Sequence, residues 1–88
     1  MTNNAKTLLR AIYDKYKEQC NNPACSNPKY IQRLDVCFPG GTAKELLEEL
    51  QSNGYIVRGS VFGSIHQKSV EVDISEKGIE YFETESEN

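Results

Sequence analysis

Residues 42–56 read TAKELLEELQSNGYI, and this stretch predicts the central helix of the fold. Thr42 and Glu45 have the spacing of a capping box, in which the hydroxyl and the carboxylate each accept an amide proton at the helix start. Three leucines then fall on one side of a 3.6-residue spiral. Gly54 provides the stop, because glycine readily adopts the left-handed conformation that closes a helix. The pattern predicts an amphipathic helix over 42–53 that leads directly into a strand.

After Gly54 the apolar period changes from 3.6 to 2, which is typical of a strand with one buried face. The alternation is clearest in VEVDI, residues 70–74, and the predicted partner strand begins at Tyr55 and ends near Phe62. A polar loop joins the two strands, so the sequence predicts a β-hairpin over 55–74. Ser75 is the predicted cap of a last short helix.

The first half of the chain predicts two further helices. Apolar residues recur at helical spacing from about residue 5 to residue 20, and Asn3 or Asn4 is the predicted cap. The following CNNPACSNP is typical of a loop. A second helix is expected from Pro28 to about Val36, because proline is favoured at the first helical position.

The totals describe one small domain, 1–88, with a frayed acidic tail over 83–88. The net charge of −3 argues, taken whole, against a polyanionic partner. The charge is unevenly distributed. Residues 71–88 hold seven acidic side chains and one basic, whereas residues 1–70 hold nine basic and six acidic. The body of the domain is therefore mildly basic and the acidity lies at its end.

Several classes of function are disfavoured. No apolar run approaches the ~18 residues of a membrane helix, and no signal peptide is evident, so we expect a cytoplasmic protein with no membrane partner. We expect no enzyme, because the sequence has no nucleophile paired with a base, no phosphate loop and no paired catalytic carboxylates. No cofactor or metal is expected, since Cys20, Cys25 and Cys37 lack the ligand spacing of a zinc site. A thiol- or metal-responsive sensor remains an alternative.

The predicted order is helix, helix, turn, capped helix, hairpin and short helix. Within it, LLEELQSNGYI and VEVDISEKGIEYF resemble the end of the recognition helix, the second wing strand and the closing helix of winged helix-turn-helix domains. The chain is similar to small bacterial or phage regulators of the MarR, PadR and YjcQ types. The resemblance implies an α+β winged helix: a three-helix bundle with a β-hairpin wing and a short C-terminal helix.

The resemblance also implies binding to double-stranded DNA and a role in transcription regulation. In such domains the third helix enters the major groove and the wing touches the backbone or the minor groove. Lysine and arginine neutralise phosphates, while glutamine, serine and threonine can reach bases or phosphates. The DNA-binding residues implied in this way are Lys29, Gln32, Arg33, Thr42, Lys44, Glu48, Gln51, Ser52, Arg58, His66, Gln67 and Lys68.

Acidic residues on the same predicted helix favour an alternative. Glu45 is expected to cap the helix, but Glu48 and Glu49 would repel phosphate if they lay on a DNA-reading face. A specific DNA binder contacts several phosphates. Because this chain has few lysines and arginines, we expect weak DNA binding unless it forms a homodimer or a larger complex. The alternative is a protein–protein interaction module that has this fold and binds no DNA.

Overall fold

The computed structural model describes residues 1–36, 40–63 and 68–85. Within them the chain forms three helices and three strands, which confirms the predicted α+β class. The elements in chain order are α1 (Asn3–Cys20), β1 (Tyr30–Val36), α2 (Gly40–Ser52), β2 (Ile56–Gly63), β3 (Lys68–Ile74) and α3 (Glu76–Glu85). Helix α3 therefore continues into the stretch predicted to be a frayed tail.

The three strands form one antiparallel sheet in the order β1-β3-β2, with β3 in the centre. Val70, Val72 and Ile74 of β3 are buried on one face of the sheet, which we call the inner face. Helices α1 and α2 pack against the sheet, and α3 packs against α1. Of the three strands, α2 contacts mainly the edge strand β2. The core consists of Ala5, Leu8, Leu9, Ile12, Ile31, Ala43, Leu46, Leu47, Leu50, Ile56, Val70, Val72, Ile74, Ile79 and Phe82.

The second helix predicted over 28–36 is wrong, because this stretch forms strand β1. Ile31 lies opposite Val72 and Leu34 lies opposite Val70, so three residues of β1 advance against two of β3. Such a β-bulge places two inward-facing residues three positions apart, which is also the spacing of a helix face. The bulge therefore imitated a helical pattern. Among the described residues, a strand and not a helix precedes α2, unlike the order of a helix-turn-helix.

Two of the three predicted helix caps are also wrong. Helix α2 begins at Gly40, so Thr42 already lies inside it and the Thr42–Glu45 capping box does not mark its start. Helix α1 is capped by Thr2, whose hydroxyl accepts the amide proton of Ala5 at 3.2 Å. Thr2 also donates from its backbone amide to Glu49 at 2.8 Å, which attaches the start of α1 to α2. The start of α1 is therefore held by a contact with a residue distant in the sequence.

The predicted hairpin is confirmed as β2 and β3, and Ser75 caps α3 by accepting the Gly78 amide proton at 3.1 Å. The start of α3 is joined to the end of α2. Ser75 donates its hydroxyl proton to the Gly54 carbonyl at 2.6 Å, and the Lys77 ammonium donates to the Asn53 carbonyl at 2.7 Å. We call residues 53–55 and 75–78 the α2–α3 junction.

Two glycines allow the α2–α3 junction to form. Gly54 has φ +79°, the left-handed conformation expected at the end of a helix. Gly78 lies against the backbone of Tyr55, and a Cβ atom at this position would meet the Tyr55 carbonyl oxygen at 2.2 Å. Since no side chain fits in that space, the glycine of SEKG sets how closely α3 approaches the end of α2.

Candidate functional site

A groove lies between α2 and the edge strand β2. It has a volume of about 440 Å³ and is open to solvent. We call it the α2–β2 groove, and its lining residues are Lys44, Leu47, Glu48, Gln51, Gly59, Ser60 and Val61. The four helix residues recur at i, i+3, i+4 and i+7, so they form one continuous stripe along α2.

Gly59 explains how closely α2 approaches the strand. It lies opposite Val72 on the inner face, and an added Cβ atom would come within 3.2 Å of Leu47 Cδ2 and 3.1 Å of Ile56 Cδ1. A glycine inside a strand often marks a close approach of another group. Here the approaching group is the Leu47 side chain, which forms the apolar floor of the groove.

The groove reaches the backbone edge of β2. Successive side chains of a strand point to opposite faces of the sheet. Gly59, Ser60 and Val61 are consecutive, and Ser60 pairs with the exposed Glu71 on the outer face. Because residues of both faces line the same groove, it follows the strand margin. That margin carries backbone amides and carbonyls that β3 does not pair.

The polar residues of the helix stripe have no partner among the described residues. Lys44 and Glu48 are exposed and form no ion pair there, and the side-chain amide of Gln51 forms no hydrogen bond with the described residues. By contrast, six of the ten lysines and arginines pair with a carboxylate in the described part of the chain. The groove therefore presents charged groups that the fold itself does not use.

Three of the lysines and arginines implied in DNA binding form ion pairs with carboxylates of this chain. Lys29 forms an ion pair with Glu76 and Arg33 one with Asp35 at 3.3 Å. Arg58 pairs with Asp73, whose hydrogen bond and charge raise the pKa of the Arg58 guanidinium above its ordinary value. Exposed ion pairs contribute little stability and can exchange partners. The neighbouring carboxylates nevertheless reduce the local positive potential.

The structure separates the implied DNA-binding residues into different regions. Lys44, Glu48 and Gln51 line the α2–β2 groove, whereas Gln32 and Arg33 lie exposed at the bulge of β1, the opposite edge of the sheet. The remaining described residues of the set are placed elsewhere. Thr42 is half-buried in α2, Ser52 is exposed at the end of α2, Arg58 is exposed on β2, Lys29 precedes β1 and the half-buried Lys68 begins β3. His66 and Gln67 lie outside the described residues.

The outer face of the sheet is mainly acidic. Glu71 and Asp73 lie there on the central strand β3, and Asp35 lies there on β1. Ser69 donates its hydroxyl proton to the Asp35 carboxylate at 2.6 Å. The Tyr30 hydroxyl donates to the Glu71 carboxylate, and this bond raises the pKa of Tyr30. A face with these carboxylates is unfavourable for phosphate contacts.

The thiols form no described metal site. Cys20 is exposed and Cys25 is half-buried, while Cys37 lies outside the described residues. A hydrogen bond with Cys20, together with burial, raises the pKa of Tyr16 to about 12. Within the ranges that the structure describes, no three His, Cys, Asp or Glu residues are grouped so that they could hold a metal ion.

Comparison of the chain with protein-family models, with curated proteins and with solved structures finds no match. None of the described helices combines the length and the apolar composition needed to cross a membrane.

The winged-helix resemblance implied Lys44, Glu48 and Gln51 as DNA-binding residues, and these three line the helix side of the groove. The strand side of the groove was not predicted. Gly59 was the available signal for the strand, since an interior glycine weakens a strand unless another group needs the space. The role of Gly59 in the groove could be recognised only from the strand order, which places β2 at the edge of the sheet.

Proposed function

We propose that this protein is an interaction module that binds another protein through the α2–β2 groove. The observation that carries the proposal is one groove with an edge strand on one side and, on the other, a helix stripe whose polar side chains have no partner among the described residues. Edge strands offer unpaired backbone groups to other chains, and folds usually cover or charge them. Here the neighbouring helix leaves part of the strand margin open.

The distribution of charge supports a protein partner over a polyanion. The groove holds one base, Lys44, and one acid, Glu48, so it has no excess of positive charge. Interaction surfaces between proteins commonly combine a small apolar centre with a polar rim. Leu47 and Val61 supply the apolar centre, and the helix stripe supplies the polar rim.

The proposal is tested by photo-crosslinking in cells of the native source. A photoreactive amino acid replaces Ser60 in the groove, and in a control variant it replaces Glu80, which is exposed on α3. We expect a defined protein adduct from position 60 that disappears when Lys44→Glu is added. Equal adducts from both positions, or none from position 60, would contradict the proposal.

DNA binding by a winged-helix variant is a second candidate. It is supported by the hairpin that directly follows α2 and by Lys44, Gln51 and Ser52, which are exposed on that helix. In this interpretation α2 is the recognition helix and β2–β3 is the wing, while β1 replaces the helix that normally precedes the recognition helix. A homodimer would supply the phosphate contacts that one copy lacks.

This candidate is tested by fluorescence anisotropy with a mixed-sequence duplex at low salt, combined with light scattering. Binding that weakens on adding salt, and on changing Lys44→Ala together with Arg58→Ala, would support it. No binding at tens of micromolar protein would reject it. Light scattering on the same samples reports whether the bound species is a dimer.

A further inference from the structure

We propose that the occupant of the α2–β2 groove is an extended peptide segment of a partner protein, added as a fourth strand to the edge of β2. The segment carries an aliphatic side chain for the groove floor and an acidic side chain two residues away, next to Lys44. This inference rests on the proposed interaction function and names its partner chemistry.

The backbone of β2 provides the first argument. In the part of the chain that the structure describes, β2 pairs with β3 on one side only, and its other margin borders the groove at Gly59, Ser60 and Val61. Strands rise about 3.3 Å per residue and pair at about 4.8 Å, so this margin can pair with a segment of roughly three or four residues. Peptides that add to a sheet edge gain affinity from these main-chain hydrogen bonds.

The apolar floor provides the second argument. Side chains of an added strand alternate between the two faces of the sheet. Those on the inner face would lie beside Leu47 and Val61, the apolar residues of the groove lining. Burial of apolar surface there favours an aliphatic residue in the peptide.

The direction of the groove provides the third argument. Only residues 53–55 join α2 to β2, so the two elements run in opposite directions and Lys44 lies towards the Val61 end. Lys44 has no carboxylate partner among the described residues, and the positive end of the α2 dipole lies at the same end. An acidic peptide side chain is therefore favoured at this end, whereas Glu48 disfavours a second acid in the middle.

The test uses two capped peptides, acetyl-SDSVSS-amide and its reverse acetyl-SSVSDS-amide, because either strand direction can pair with an edge. They are titrated to 1 mM into the full-length protein and followed by amide NMR. We expect one of them to shift the amides of residues 59–61 and of the α2 stripe. N-methylation of one alternating set of its amides should abolish binding, and methylation of the other set should not.

A charge swap tests the acidic residue. Lys44→Glu should weaken the binding of the aspartate peptide at least tenfold and should improve binding of the same peptide with lysine in place of aspartate. The control is Lys6→Glu, which reverses an exposed lysine of α1 that also has no ion pair among the described residues and should change neither affinity.

Two results would overturn strand addition: no shifts at residues 59–61 with either peptide, or binding that both N-methylated sets retain. If the photo-crosslinked partner of position 60 is nevertheless found, the proposed interaction function stands and only the extended-peptide partner is wrong. If the crosslink is absent as well, the interaction function fails with it.

Discussion

The α2–α3 junction and the α2–β2 groove lie along the same helix but use their polar groups differently. In the junction, Ser75 and Lys77 bond to the backbone at the end of α2, and Lys77 also lies 4.9 Å from the centroid of the Tyr55 ring. In the groove, Lys44 and Glu48 have no bonding partner within the described chain. Polar residues with internal partners hold the fold together, whereas the remaining ones are available for binding.

Gly78→Ala should give the largest loss of stability, because the junction has no room for a methyl group. The added Cβ atom would meet a backbone oxygen at 2.2 Å, so α3 or the end of α2 must move. We expect a loss of about 2–3 kcal/mol in the free energy of unfolding, despite the better helix propensity of alanine. Urea denaturation measures this loss.

The matched control is Glu80→Ala, which changes an exposed residue of the same helix and should alter stability by less than about 0.5 kcal/mol. Equal effects of the two alanine substitutions would show that the junction is loosely packed, and the contrast with the groove would then lose its basis.

Ser75→Ala should lower stability by about 1 kcal/mol, because α3 loses its cap and the Gly54 carbonyl loses a donor. Ser52→Ala is the matched control, since the exposed Ser52 side chain has no partner within the described ranges and alanine favours helices. Thermal unfolding should show a lower Tm for the first variant only. A similar Tm for both would argue against the capping role of Ser75.

Glu49→Gln compared with Glu48→Gln separates two adjacent acids of α2. The Glu49 carboxylate accepts hydrogen bonds from the backbone amide and the hydroxyl of Thr2. The neutral glutamine would accept weaker bonds, so Glu49→Gln should lower the free energy of unfolding by about 0.5 kcal/mol. Glu48 has no such role, and its neutralisation should leave stability unchanged. The urea midpoints of the two variants measure this difference. A larger loss of stability for Glu48→Gln than for Glu49→Gln would contradict the structural role of Glu49.

Substitutions in the groove should have the smallest effect on stability and the largest on binding. Lys44→Glu and Gln51→Ala break no described contact, so we expect changes in unfolding free energy within about 0.5 kcal/mol. The photo-crosslink from position 60 should nevertheless fall at least tenfold with Lys44→Glu. If Lys44→Glu strongly lowered the free energy of unfolding, Lys44 would have a role in stabilising the fold, and the prediction would be wrong.

The hairpin and α3 could be predicted because their patterns are local. The alternation from Val70 to Ile74 fixes one buried face, and Ser75 precedes α3 as a cap should. Strand β1 could not be recognised, since its bulge between Ile31 and Leu34 reproduces the spacing of a helix. A bulge depends on pairing with a strand almost forty residues away, which a local pattern does not contain.

The groove was only half predictable for a similar reason. The resemblance to winged-helix domains pointed to Lys44, Glu48 and Gln51 on the central helix, and these three line the groove. The role of residues 59–61 depends on β2 being an edge strand, and the order β1-β3-β2 results from long-range pairing. The cap of α1 shows the same limit, because Thr2 is held by Glu49 of α2, which is distant in the sequence.

Residue-resolved amide hydrogen exchange tests the central claim, that part of the β2 margin is open, most directly. Antiparallel pairing with β3 directs alternate amides of β2 towards β3 and the others away from it. Within residues 59–61 we predict that amides directed away from β3 exchange at least tenfold faster than those directed towards it, and that a bound partner slows them. Uniformly slow exchange at all three residues in the free protein would contradict an open edge.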